Sequence, residues 1–196
     1  MITGTTTHAT LLLRISSGSD PSAWREFQDR YEQLIRGFGK RYNLQAADCD
    51  EVVQEVFTAL CQSITGFRYD PAKGKFRSYL KTVAVHAVYH KIRQKPRGTM
   101  LELIEAAAEN PADDASSDQA WETEWRQHHL RLAMDRIRME FNAADVAAFE
   151  AYAVAGQDAR QTADALKLSM DQVYQAKSRI LKRLAEVIAD QVREEG

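Results

Sequence analysis

Apolar residues recur three and four positions apart along most of the chain, which is the spacing of one face of an α-helix. Strictly alternating runs, typical of β-strands, are nearly absent. The clearest stripe follows Asp20-Pro21, an N-cap residue and a first-turn proline. Its members are Trp24, Phe27, Tyr31, Leu34, Ile35, Phe38 and Tyr42. The pattern predicts an all-α fold.

Similar stripes and local stop signals predict the remaining helices. They are expected at about 8–16, 47–63, 76–93, 160–167 and 170–192, with a long helix beginning near Trp121 and a helix capped by Asn142 and closed by Gly156. Between the two groups, residues 98–118 combine Pro111 with paired Asp and Ser residues, which is typical of a flexible linker. We therefore predict two small helical domains, 1–97 and 119–196, joined by a flexible acidic linker, 98–118.

Charge is segregated although its total is small. The 196 residues carry 26 basic and 28 acidic side chains, a net charge of −2. Nine Lys/Arg and one acid give residues 66–97 a charge of +8, whereas eight acids and no base give residues 101–124 a charge of −8. We hypothesise that the acidic block folds back on the basic block in the free protein and screens it. Neutralising Asp113, Asp114 and Asp118 would then raise the affinity of the free protein for DNA at low salt.

Several function classes are disfavoured. No apolar run approaches the roughly 20 residues of a membrane-spanning helix, and the N-terminus lacks a signal-peptide pattern, so we expect a cytoplasmic protein with no membrane partner. Cys49 and Cys61 lie outside any metal-binding or disulfide pattern. His86 and His90 have a metal-compatible spacing without a third ligand, so no metal and no cofactor are predicted. No catalytic motif is present, and we do not expect an enzyme.

Residues Arg160 to Leu184 have the layout of a helix-turn-helix, with the turn at Lys167-Leu168-Ser169. Ser169 and Gln172 are spaced as a capping box for the second helix. In this motif the second helix enters the major groove of DNA, although a charged helix facing solvent is the alternative.

Upstream, aromatic residues are mixed with Lys and Arg. This mixture suits single-stranded DNA, because nucleobases stack on aromatic rings and phosphates pair with the cationic side chains. The rings expected to be available are Phe67, Tyr69, Tyr79 and Tyr89.

The string Asp-Cys-Asp-Glu-Val-Val-Gln-Glu-Val-Phe at 48–57 closely resembles the core-polymerase-binding helix of bacterial RNA polymerase sigma factors of the extracytoplasmic-function (ECF) group. The resemblance extends in order through the 24–42 stripe, the run 67–80, the linker and the helix-turn-helix. It implies a sigma region 2 domain, a linker and a region 4 domain. It also implies a promoter-specificity subunit that binds core RNA polymerase, recognises the −35 and −10 promoter elements and assists DNA melting. The implied partners are core polymerase, promoter double-stranded DNA and the melted non-template strand, with an anti-sigma factor as a further candidate.

The resemblance assigns a role to each group of residues. Core-polymerase binding, against the coiled coil of the largest polymerase subunit, falls on Asp50, Glu51, Gln54 and Glu55. Binding of the −10 element falls on Phe67, Arg68, Tyr69, Lys73, Lys75, Arg77, Tyr79, Lys81, His86, Tyr89, His90 and Arg93. Binding of the −35 element falls on Ser169, Asp171, Gln172, Tyr174, Gln175, Lys177, Ser178, Arg179 and Lys182.

Two other functions stay open at this point. One is a stand-alone two-domain helix-turn-helix regulator that acts without polymerase, and charge reversal at Glu51 and Glu55 would leave its DNA binding intact. The other is a helical adaptor that binds proteins on two faces, for which DNA affinity would depend weakly on salt or be absent.

Overall fold

A computed structural model describes residues 8–16, 20–64, 76–94 and 115–195. Within these ranges the chain is helical and contains no strand, which confirms the predicted all-α class. The helices are α1 (His8–Ser16), α2 (Pro21–Arg41), α3 (Ala46–Ile64), α4 (Phe76–Gln94), α5 (Ala115–Glu140), α6 (Ala143–Phe149), a π-helical segment (Glu150–Val154), α7 (Ala159–Leu166) and α8 (Met170–Glu195).

The contacts divide the chain into two compact units, with the division between Arg126 and Gln127. In the first unit, α2 packs against α3, and α3 packs against α4. Aromatic rings from two helices, α2 and α4, meet in its core: the ring centroid of Phe27 lies 4.7 Å from Tyr31 and 5.7 Å from Phe76. All three rings are at most 2% exposed, so the predicted stripe of α2 is the buried face.

Helix α2 begins where its sequence signals predict. The Asp20 carboxylate accepts hydrogen bonds from the backbone amides of Ser22 (3.0 Å) and Ala23 (3.2 Å), and Pro21 occupies the first turn. Arg14 of α1 donates to Asp20 at 2.8 Å. The Ser22 hydroxyl and the Arg14 guanidinium hold the pKa of Asp20 well below its usual range. This cap therefore ties α1 to the start of α2.

The start of α5 differs from the predicted domain boundary. Residues 115–118, the end of the predicted linker, are helical, and residues 98–114 lie outside the described part of the chain. Trp121 and Trp125 were expected in the second domain, but they are 2% and 4% exposed within the first core cluster. The Trp121 ring lies 5.3 Å from Phe38, edge to face. Burial of these two large apolar rings attaches the first turns of α5 to the first unit.

The second unit contains the residues of α5 from Gln127 onward and the helices that follow, as far as Arg193. Asn142 caps α6 by accepting a hydrogen bond from the amide of Asp145 at 2.8 Å, as predicted. In the core of this unit, Ile137, Phe149 and Ile180 belong to one buried cluster.

An ion-pair network links α5 to α8 in this unit. Two nitrogens of Arg183 donate to Glu140 at 2.7 and 3.0 Å, and Arg136 donates to the same carboxylate at 2.7 Å. Hydrogen bonds from Arg183 and then Arg136 lower the pKa of Glu140 to about 2. A bidentate pair between helices far apart in sequence fixes how they pack.

Candidate functional site

The predicted polymerase-binding residues share one exposed face of α3. Asp50, Glu51, Gln54 and Glu55 are exposed, while Val52, Val53, Val56 and Leu60 are buried on the opposite side. The side chains of Asp50, Glu51 and Glu55 remain between 44% and 62% accessible. The helix therefore presents a row of carboxylates to solvent because its other face is held in the core.

These carboxylates already have cationic neighbours from α2 and α4. Arg36 donates to Asp50 and, at 2.7 Å, to Glu32, and both contacts raise the pKa of Arg36. Lys91 Nζ lies 2.5 Å from Glu51, which raises the pKa of Lys91. The acidic face is thus flanked by bases on both sides.

Helix α4 connects the acidic face with the predicted −10 residues. Nδ1 of His90 lies 3.0 Å from Glu55, so one of the predicted DNA contacts touches one of the predicted polymerase contacts. His86 and Arg93 are exposed on the same helix. The two predicted surfaces are therefore adjacent across the α3–α4 packing.

Tyr89 corrects the prediction. It was expected among the rings available to DNA, but it is 5% exposed, and its ring centroid lies 5.7 Å from Tyr42 in the first core. Apolar residues occupy several faces of α4, so its sequence did not indicate which rings point inward. Tyr79 is half-buried, with its hydroxyl 2.5 Å from that of Ser63. The remaining predicted −10 contacts, Phe67, Arg68, Tyr69, Lys73 and Lys75, lie outside the described residues.

Two acids of α5, both in the acidic block that was hypothesised to screen the basic block, contact the predicted −10 cations. Glu122 pairs with Arg77, and Asp118 pairs with Lys81. The Arg77 guanidinium also lies 4.9 Å from the centroid of the Trp125 ring, a cation–π contact. Burial raises the pKa of Glu122, but hydrogen bonds from two arginines outweigh it and the net shift is downward. The signal in the sequence was the segregation of charge, +8 over residues 66–97 and −8 over residues 101–124.

A buried carboxylate fastens the same segment to α2. Glu124 is 5% exposed and accepts a hydrogen bond from Arg41 Nε at 2.6 Å. Its carboxylate lies over the backbone of Gly37, where any β-carbon would collide with it. Gly37 in the middle of a helix is thereby explained, because only glycine leaves room for this close approach.

The helix-turn-helix forms as predicted in the second unit. Asp158 caps α7, and Lys167 ends it in the left-handed conformation with φ of 56°. The Ser169 amide donates to Gln172 Oε1 at 2.7 Å, and the Gln172 amide donates to Ser169 Oγ at 3.2 Å. This capping box starts α8, and it occupies two side chains that were predicted to contact DNA.

The other predicted −35 residues fall into two groups. Residues spaced four, three and four apart form an exposed stripe opposite the buried seam of α8: Asp171, Gln175, Ser178 and Lys182. Three more flank this stripe and contact other helices. Lys177 Nζ lies 5.0 Å from the Tyr152 ring centroid, Tyr174 contacts the same ring, and Arg179 donates to Asp145 at 3.0 Å.

Two features of the described residues bear on membrane-spanning helices and on metal sites. No helix in the four described ranges is long and apolar enough to cross a membrane. The same ranges contain no group of three or more His, Cys, Asp or Glu side chains able to hold a metal ion.

The segment that carries α3 and α4 matches a known family. Residues 27–98 match the family model described as sigma-70 region 2. Two curated relatives, from Mycobacterium tuberculosis and Mycobacterium bovis, are ECF RNA polymerase sigma factors called SigK. Each is 29% identical over 110 residues, which cover 56% of this chain and 58% of the relative. The resemblance to the ECF group is confirmed by these matches, which span somewhat over half the length of the relatives.

A solved structure described as CnrH in complex with the cytosolic domain of CnrY is also similar. It covers 93% of this chain and 97% of its own, with 19% identity and a TM-score of 0.35. That score is too low to establish a shared arrangement of helices.

Proposed function

We propose that this protein is a promoter-specificity (sigma) subunit of bacterial RNA polymerase. It binds core polymerase, recognises the −10 and −35 promoter elements and assists melting of the DNA at the start of transcription. It acts in the cytoplasm, with a region 2 domain in the first unit and a region 4-like domain in the second.

The observation that carries the proposal is the exposed carboxylate face of α3 within the segment that matches sigma-70 region 2. Carboxylates near the N-terminus of a helix also stabilise it by interacting with the helix dipole, but that effect falls off within the first turn. Glu55 lies nine residues beyond the first residue of α3, so helix stability does not account for it. Glu55 contacts His90 but remains 44% accessible, so it is also available to a basic partner surface.

The −10 element is proposed to bind along α4, next to that face. Its exposed or half-buried polar side chains include Arg77, Lys81, His86, His90 and Arg93. Cations on this helix would hold the phosphates of the separated strand, while rings from the segment preceding α4 would stack on its bases. Recovering stacking energy in this way favours the open DNA.

The −35 element is proposed to meet the exposed stripe of α8. Asp171 and Gln175 lie near the N-terminus of that helix, where side chains of a helix-turn-helix reach base edges. Ser178 and Lys182 continue the stripe and are placed to contact the phosphate backbone.

In vitro transcription with sigma-free bacterial core polymerase and fragmented DNA of the source genome tests the proposal. We expect discrete transcript starts that share a pair of upstream elements. Glu51→Lys combined with Glu55→Lys should abolish both transcription and co-migration with core polymerase. A matched control, Asp29→Lys with Asp190→Lys, changes the net charge equally at exposed positions away from α3 and should retain both.

A stand-alone regulator is the second candidate, since the helix-turn-helix is complete within the second unit. Under that reading, the α3 double variant keeps its DNA affinity, and the wild type neither co-migrates with core polymerase nor directs transcript starts. That pattern would refute the sigma proposal.

A further inference from the structure

Tyr152 contacts two residues of α8 that were predicted to bind DNA. Its ring centroid lies 5.5 Å from that of Tyr174, with the planes at 75°, and Lys177 Nζ lies 5.0 Å from the same centroid. Tyr174 and Lys177 are three positions apart, so they are neighbours on the surface of α8. One ring outside the helix-turn-helix therefore touches two side chains at the edge of its exposed stripe.

The position of the Tyr152 ring is fixed by its surroundings. The side chain is half-buried and packs against a cluster of small residues from α6, α7 and α8: Ala148, Ala163, Val173 and Ala176. Its backbone belongs to the π-helical segment, in which the Ala155 amide donates to the Glu150 carbonyl at 2.8 Å, five residues earlier. Such segments are rare and frequently accompany functional positions.

A fixed ring restricts side chains that would otherwise be mobile. Lysine has one of the largest side-chain entropies, and it loses that freedom when it binds a phosphate. A cation–π contact with Tyr152 holds Lys177 in advance, and the edge-to-face contact does the same for Tyr174, which is 43% exposed. Ordering these side chains before DNA arrives reduces the entropy lost on binding.

We propose that Tyr152 is a positioning residue for −35 recognition, whose ring orients Tyr174 and Lys177 toward the DNA. The inference rests on the proposed function, since it assumes that α8 binds the −35 element. Tyr152 itself lies on a different helix from the reading side chains and is not expected to contact bases.

Two substitutions separate the effect of the aromatic ring of Tyr152 from the effect of its side-chain volume. Tyr152→Leu keeps an apolar side chain in the cluster but removes the aromatic face, whereas Tyr152→Phe keeps the face and removes only the hydroxyl. The probe is a promoter duplex taken from the start sites that the wild type directs, bound by polymerase reconstituted with each variant. We expect Tyr152→Leu to bind about fivefold more weakly and Tyr152→Phe to match the wild type.

The salt dependence of binding gives a readout that a merely structural role would not move. If Lys177 neutralises one phosphate, Lys177→Ala lowers the slope of log affinity against log salt by about one. Tyr152→Leu should shift the slope in the same direction. In the Lys177→Ala, Tyr174→Ala background, Tyr152→Leu should have no further effect on affinity.

The outcomes distinguish failure of the inference about Tyr152 from failure of the proposed function on which it rests. If the wild type directs starts but Tyr152→Leu binds like the wild type, or weakens binding equally in the double-alanine background, Tyr152 is not a positioning residue. A loss caused by partial unfolding would appear in that background too and so counts against the inference. If the wild type directs no starts at all, the proposed function fails, and the inference falls with it.

Discussion

The carboxylate of Glu124 occupies the space that a side chain at Gly37 would need. A β-carbon at Gly37 would lie 2.9 Å from Glu124 Cδ and closer still to Oε2. Gly37→Ala therefore pushes Glu124 away from Arg41, which donates to it at 2.6 Å. The end of a glutamate side chain is flexible and can move aside. The loss of stability caused by Gly37→Ala is therefore limited to the loss of this hydrogen bond and requires no shift of the backbone.

Two effects of Gly37→Ala oppose each other. Alanine stabilises a helix interior by about 1 kcal/mol relative to glycine. Loss of a hydrogen bond to a charged group costs about 1.5–3 kcal/mol. We expect Gly37→Ala to lower the free energy of unfolding of the first unit by about 1 kcal/mol, the difference between these terms. With Glu124→Ala already present, the collision is gone, and Gly37→Ala should raise the free energy of unfolding of the first unit by about 1 kcal/mol.

Urea denaturation followed by tryptophan fluorescence measures this change in the relevant unit. The chain has three tryptophans, Trp24, Trp121 and Trp125, and all belong to the first unit. A double-mutant cycle with Glu124→Ala should give a coupling of about 2 kcal/mol. If Gly37→Ala has the same sign and size in both backgrounds, Glu124 does not lie over Gly37 as described.

Acid should weaken the second unit through Glu140, whose pKa is lowered from 4.5 to about 2 by Arg183 and a second arginine. The contribution of the carboxylate is present above pH 4.5 and is lost as the pH falls through 2. Glu140→Gln should therefore cost about 1 kcal/mol at pH 7, in urea denaturation followed by circular dichroism, and progressively less as the pH falls to 2 and below. Asp118→Asn with Glu122→Gln should raise the affinity of the free chain for single-stranded DNA at low salt, measured by fluorescence anisotropy, because two cations of α4 lose their acidic partners. Tyr89→Ala should lower the free energy of unfolding of the first unit by about 3 kcal/mol, the cost of an aromatic cavity, as measured by urea denaturation followed by tryptophan fluorescence.

Matched variants make these outcomes specific. Asp135→Asn with Asp190→Asn removes the same charge from exposed sites of the second unit and should leave single-stranded DNA affinity nearly unchanged. An equal rise there would show that net charge alone, and not the contacts of α5, controls binding. An exposed-residue control in the second unit, Tyr174→Ala, is followed by circular dichroism because the tryptophans lie in the first unit, and it should cost under about 1 kcal/mol. A comparably small loss for Tyr89→Ala would contradict its burial.

Helix positions were predictable because the signals that set them are local. The caps Asp20, Asn142 and Ser169 bond to amides two or three residues away, so sequence alone contains both partners. The face of α3 was predictable for the same reason, since a helical period fixes which carboxylates point outward.

Contacts between distant residues were not predictable in this way. Glu124 and Arg41 are 83 positions apart, and nothing in either local pattern indicates that they meet. Tyr89 was misplaced because α4 is apolar on more than one face, so periodicity alone does not choose between neighbouring rings. The contact of Tyr152 with α8 depends on a π-helical segment, which changes the helical register and has no recognised sequence signature here.

The carboxylates of α3 have consequences for how any cationic partner binds to them. Because Glu51 and Glu55 are held by Lys91 and His90, a partner must replace contacts that already exist. Binding is then an exchange of ion pairs, in which the net free energy is the difference between new and old contacts. Such a surface favours a partner whose cations match its spacing and discriminates against generic polycations, so selectivity is gained at the expense of strength.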